Sequence, residues 1–222
     1  MAEEKQLTEQ ESLQLIQQMI NKAKGSYHDT GIGPILWGSV ITFCSLVTFA
    51  EIQFKFKLPF DIWLLTLIAI IPQVFISIRE SRMRKVLKYE EVALGYIWTC
   101  FGISIFLLIH INAGIVSHLD PIFTDYNTLK GPHEITFDYS SYSTSLFLML
   151  YGMPSILTGG ITHFKPMLYG GILCWICCAV SVYTNVKTDL LLMALSAMVM
   201  WLIPGIILRR KYLKGTTECS KN

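Results

Sequence analysis

Charged and apolar positions are segregated along this chain of 222 residues. Every Asp, Glu, Lys and Arg falls outside six runs, 30–50, 62–78, 92–119, 139–164, 166–186 and 190–208. A bilayer core about 30 Å thick needs roughly 20 apolar residues as helix. The six runs therefore predict six membrane helices, at about 34–54, 60–78, 92–112, 143–162, 167–185 and 189–208. The connections between them are short except at 79–91, which is strongly charged, and at 113–142. That longer segment contains Pro121, Gly131 and Pro132 and is expected as an external loop.

Ahead of the first run the pattern changes. Thr8 and Glu11 form a capping box. Leu13, Ile16, Met19, Ile20 and Ala23 share one face at helical spacing, opposite Glu9, Gln14, Gln17 and Lys22. An amphipathic helix is predicted over 8–24. It is too weakly basic for strong attraction to anionic lipid. It lies in the interface, or presents Leu13, Ile16 and Ile20 to a protein partner or a second copy. Residues 25–34, with three glycines and a proline, read as the hinge into the membrane. The expected organisation is a cytoplasmic amphipathic helix and hinge over 1–30, a six-helix domain over 31–208 and a basic tail over 209–222.

Composition sharpens this picture. The chain is 52% hydrophobic and 15% charged. A soluble domain carries about 25% charged residues, so the shortfall means a very buried soluble core or a membrane protein. The six uncharged runs decide for the membrane and exclude disorder and an ordinary soluble enzyme. Residues 1–24 lack the apolar core and cleavage site of a secretory signal, and the first apolar run is expected to act as an uncleaved anchor. With the N-terminus inside, Lys and Arg number 14 on the cytoplasmic side and four outside (Lys55, Lys57, Lys130 and Lys187). The positive-inside rule then puts both termini in the cytoplasm. No basic patch interleaved with aromatics points to nucleic acid.

The six segments read as three tandem hairpins. Each odd segment has Gly then Trp near its cytoplasmic start: Gly33 and Trp37, Gly95 and Trp98, Gly171 and Trp175. Each even segment has a proline near its cytoplasmic end: Pro72, Pro154 and Pro204. The strings AIIPQVFI, YGMPSILT and WLIPGIIL align without gaps around it. A proline in a membrane helix frees a carbonyl and bends the helix. Three such bends predict a ring or narrowing on the cytoplasmic side.

The stretches ESLQLIQQMINKAK, GPILWG, the basic loop after the second segment, and YGMPSILTGGITHFKP running into GGILCW carry a resemblance. The chain resembles an uncharacterised family of small bacterial six-helix membrane proteins. That implies a bacterial inner membrane and supplies no activity or site residue. In topology and glycine placement it is also similar to the three-hairpin membrane proteins linked to bacterial acid resistance.

Candidate chemistry is sparse. Cys174, Cys177 and Cys178 form a CxxCC cluster within one segment. Thiolates favour Cu(I) or Zn, whereas a cysteine pair at matching spacing elsewhere is missing and cysteine also packs as a small hydrophobe. His118, Asp120, Asp125, His133, Glu134 and Asp138 make the expected external loop acidic, with spacing that fits no standard metal site. No cofactor is expected, and no nucleophile, base and orienter set marks an enzyme. The interiors of the six predicted segments hold no Asp, Glu, Lys or Arg, which argues against a carboxylate-based coupled pump. Gln73, Ser155 and Thr158 remain as candidates to line a polar pathway or pocket beside the bends. The glycines at 152, 159, 160, 170 and 171 are expected to permit close helix packing. Two functions follow as expectations: a small transport- or channel-like protein, or a non-enzymatic scaffold or stress-response factor acting through its N-terminal helix.

Overall fold

A computed structural model describes residue 13 and residues 30–83, 89–130 and 139–219. It is helical throughout, with no strand among the described residues. The helices are α1 (Ile32–Phe54), α2 (Leu64–Met83), α3 (Tyr89–Lys130), α4 (Tyr139–Ile161), α5 (Lys165–Ser181) and α6 (Val186–Ala197). A π-helical turn, Met198–Leu202, carries α6 into α7 (Ile203–Cys219) without a break. Five helical runs are long and apolar enough to cross a membrane. The run Val186–Lys214 is one of them, and α5 is a shorter apolar helix of 17 residues.

The expected N-terminal helix lies outside the described residues except for Leu13, which is helical and exposed. Ile16 and Ile20 lie outside them as well.

One expectation is corrected. Residues 113–130, anticipated as loop, continue α3 through Pro121. Asn112, Ile115, Leu119 and Phe123 are half-buried at helical spacing, so one stripe of the segment packs while its acidic residues face outward. Asn112 Nδ2 donates to Ser143 Oγ of α4 at 2.6 Å, fixing the two helices side by side.

Helices α1, α4, α5 and the continuous α6–α7 run form the packed centre. α2 lies against α1, and α3 against α4. Both outer helices keep large apolar side chains exposed, among them Leu67, Ile71 and Phe75 on α2 and Ile103, Phe106 and Ile111 on α3.

Close approach at the centre depends on residues without side chains. A Cβ on Gly38 would stand 2.6 Å from the backbone nitrogen of Leu202, and one on Gly170 would stand 2.6 Å from Met200 Cα. A Cβ on Gly159 would meet Leu168 N at 2.4 Å, and one on Gly152 the Trp175 indole at 2.3 Å. Gly160 faces open space. A Cβ on Gly171 would meet Ile156 Cγ1 at 2.6 Å, so four of the five glycines expected to pack do so, on the α4–α5 hairpin and against the π-helical turn. Gly31 has φ 73°, and its Cα faces the carbonyl of Gly205, where a Cβ would stand 2.5 Å away.

The α4–α5 connection is a Schellman turn. Phe164 N–H donates to Gly159 O at 2.9 Å and His163 N–H to Gly160 O at 3.3 Å. His163 takes the left-handed conformation, with φ 52°.

Candidate functional site

The three aligned prolines differ in setting. Pro72 is exposed on α2, whereas Pro154 and Pro204 are buried. The residues around them share a pattern. The third residue before each proline is buried: Ala69, Tyr151 and Trp201. The first and fourth after it are buried at Ser155 and Thr158 on α4 and at Gly205 and Leu208 on α7, and half-buried at Gln73 and Ile76 on α2. Spacings of four and three residues return to the same helix face, so each proline carries one inward stripe across it.

Tyr151 and Trp201 meet where the two buried stripes cross. Their ring centroids are 5.2 Å apart. Phe101 of α3 stands edge-on to both, at 5.9 Å from Tyr151 and 6.3 Å from Trp201. Trp98, half-buried, closes the group at 6.3 Å from Trp201. Offset and edge-on aromatic pairs add stability beyond their buried area. Ser155 is fully enclosed. Its hydroxyl accepts the Trp201 indole N–H at 2.9 Å and donates to Tyr151 O at 3.2 Å. Ser155 is therefore a satisfied link in a close-packed core.

Gln73 and Thr158 behave differently. Gln73 Oε1 is enclosed beside Gly33 of α1 and has no hydrogen-bond partner. Thr158 Oγ1 is likewise buried and unpartnered. The three candidates therefore differ in setting: Gln73 rests on α1, Ser155 is hydrogen-bonded to Trp201, and Thr158 is unpartnered.

A second set of buried polar groups lies toward the opposite end of the bundle. Asp189 sits in the first turn of α6 and is fully buried. One of its oxygens, Oδ1, accepts the hydroxyl of Thr184 from the α5–α6 connection, and Oδ2 has no partner. Ser196, seven residues further along α6, is fully buried and unpartnered. Its hydroxyl lies beside the Cys174 thiol without completing a hydrogen bond. On α1, Thr42 Oγ1 donates to Ala194 O at 3.5 Å. Ser45, one turn further along α1, is fully buried with an unpartnered hydroxyl. Because α1 and α6 run antiparallel, that turn brings Ser45 level with the turn of α6 that follows Asp189.

Asp189 leaves the expectation of carboxylate-free helix interiors standing, since it is in the first turn of α6, but it is buried there. The predicted sixth segment began at 189, which left Asp189 on the boundary. Asn185 takes the N-cap position in extended conformation, so the helix starts at Val186 and draws Asp189 inward by a turn. Asn before an apolar run is a helix-start signal, and Asn185 holds that position.

The cysteine cluster is not assembled as a metal site. Cys174 Sγ donates to Leu148 O and Cys178 Sγ to Ser145 O, each at 3.2 Å. The thiols thus bridge α5 to α4 separately. His118 is exposed on α3, and His133 lies outside the described residues. Among the described residues no group of three or more His, Cys, Asp and Glu side chains could hold a metal ion.

No protein-family model, curated protein or solved structure matches this chain.

Proposed function

We propose that this is an integral membrane protein of six apolar helical segments in three hairpins, related by an internal repeat, that moves a small polar solute or ion. Both termini face the cytoplasm, and the membrane is the bacterial inner membrane. Five long apolar helices support the membrane reading, as do the exposed apolar side chains of α2 and α3, which suit lipid. The Lys and Arg asymmetry supports the orientation. The shared inward stripe around Pro72, Pro154 and Pro204 supports the repeat.

One observation carries the transport reading. Buried oxygens of Ser45, Gln73, Thr158, Asp189 and Ser196 lack hydrogen-bond partners on four different helices. Each such group costs roughly 1–3 kcal/mol when left unpaired. A bundle built only for packing would replace or pair them. A bundle that opens to admit water or solute would keep them.

The second reading is a scaffold whose N-terminal helix takes a protein partner. The glycine-mediated contacts and the satisfied Ser155 favour it, because they make the centre close-packed. Thiol access separates the two. Single cysteines at positions 73, 158 and 196 in a cysteine-free chain are treated with an impermeant thiol reagent from each side of the membrane. Labelling of all three supports the pathway. Complete protection from both sides sinks it and leaves the scaffold.

A further inference from the structure

The unpaired carboxyl of Asp189 has a specific meaning. An ionised carboxylate removed from water costs several kcal/mol unless a counter-charge accompanies it. The neighbouring groups do not supply one. Lys187, the basic residue nearest in sequence, is exposed and donates to Gln53 Oε1 at 3.0 Å. α1 offers Glu51, which accepts the Leu58 N–H at 2.9 Å, and the Cys44 thiol. α5 offers the thiols of Cys174, Cys177 and Cys178, and α4 the phenol of Tyr151. None of these is a cation, and Lys55 and Lys57, at the end of α1, are exposed and leave Oδ2 without a partner.

A buried carboxyl in that setting takes a proton or a metal cation as its partner. The donor set selects between them. Calcium and magnesium take six or more oxygen ligands, and no carboxylate accompanies Asp189 in a candidate metal group among the described residues. A proton needs only Asp189 itself. Thr184 already donates to Oδ1, which leaves Oδ2 as the atom to carry it. Other buried hydroxyls lie on the same helices. Ser45 on α1 and Ser196 on α6 are unpartnered, Ser181 of α5 is paired with Ser145 of α4 at 2.7 Å, and a hydroxyl both donates and accepts.

We propose that Asp189 is a proton-exchange site at the α5–α6 end of the bundle. It holds a proton on Oδ2 in this closed arrangement and releases it when the α5–α6 connection, with Thr184, moves away. The proton leaves to water on that side, and the carboxylate that remains is solvated there. This rests on the transport reading and gives it a chemical class, proton-linked movement of solute.

The test is pH-difference infrared spectroscopy on the full chain in lipid nanodiscs, comparing the unsubstituted protein with Asp189→Asn and Thr184→Val. A carboxylic-acid carbonyl band that titrates, is lost in Asp189→Asn and shifts in Thr184→Val supports the proposal. A spectrum unchanged by Asp189→Asn overturns it, because Asp189 then exchanges no proton. Loss of the band on adding sodium or calcium at constant pH also overturns it, in favour of a metal cation. Asn keeps the size of the side chain, and thermal unfolding of the variant shows whether it is folded. If Asp189→Asn is unfolded, the band shift in Thr184→Val decides alone: a shift supports the site and its absence overturns it. Failure here with positive thiol labelling at positions 73, 158 and 196 removes the proton and leaves the pathway. Protection at those positions removes the pathway itself.

Discussion

Trp201 donates its indole N–H to the Ser155 hydroxyl at 2.9 Å, joining two helices at their prolines. Ser155 directly follows Pro154, and Trp201 stands three residues before Pro204. The bond is buried from both sides. Ser155→Ala leaves the indole N–H unpaired and should destabilise the protein by about 1–3 kcal/mol. In a Trp201→Phe background the same change should cost clearly less, since the donor is already gone. A double-mutant cycle read by thermal unfolding in nanodiscs checks this. Equal costs in both backgrounds would mean that the bond contributes nothing.

The glycine contacts predict an order of damage. Gly170→Ala drives a Cβ into the backbone of Met200 and should cost about 1–3 kcal/mol through overpacking. Gly152→Ala meets the end of the half-exposed Trp175 side chain, which can swing aside at the loss of its 3.1 Å bond to Met149 O. It should cost less, and Trp175→Leu should suppress it. Gly160→Ala meets nothing and should stabilise by up to about 1 kcal/mol through helix propensity. Unfolding midpoints of the three variants in one lipid composition would expose a different order.

His163 holds a left-handed conformation that favours glycine. His163→Gly removes a penalty of roughly 1–2 kcal/mol in the folded chain and adds freedom to the unfolded one. A net gain of up to about 1 kcal/mol is expected, seen as a raised unfolding midpoint. His163→Val, with a branched Cβ, should lower it.

Gln73→Leu separates stability from function. The unpaired Oε1 contributes no hydrogen bond and is costly to bury, so its removal should raise stability by about 1–3 kcal/mol. On the pathway reading it should reduce thiol labelling at position 158 and any solute flux. Unchanged labelling would remove Gln73 from the pathway.

The helical segments were legible because charge exclusion from a bilayer core leaves long uncharged runs, and glycines at helix crossings could be read as packing positions. The continuation of α3 to Lys130 was hidden by Pro121 and by acidic residues, although Ile115, Leu119 and Phe123 kept helical spacing. Asp189 was missed because a charge-free run ends at the charge, whereas a helix ends at its cap. Asn185 marks that cap four residues earlier. The pairing of Tyr151 with Trp201 was half legible. The proline alignment makes them equivalent, yet only the crossing of α4 with the α6–α7 run brings their rings together. The unpartnered oxygens belong to the assembled structure alone, since any single Ser, Thr or Gln can find a partner.

The π-helical turn at Met198–Leu202 acts as a phase correction. Asp189 and Leu208, both buried, are 19 positions apart. At 3.6 residues per turn that spacing would rotate them by roughly 100° away from each other. One residue absorbed by the wide turn reduces the spacing to about 18 helical steps, close to five whole turns, and both point inward. The two halves of this helix are therefore written in different frames, one reading outward to Asp189 and the other through Gly205 to Leu208. Removing a single residue between 198 and 202 would convert the wide turn to ordinary α-helix with both halves still facing the core, whereas adding one would turn one half away.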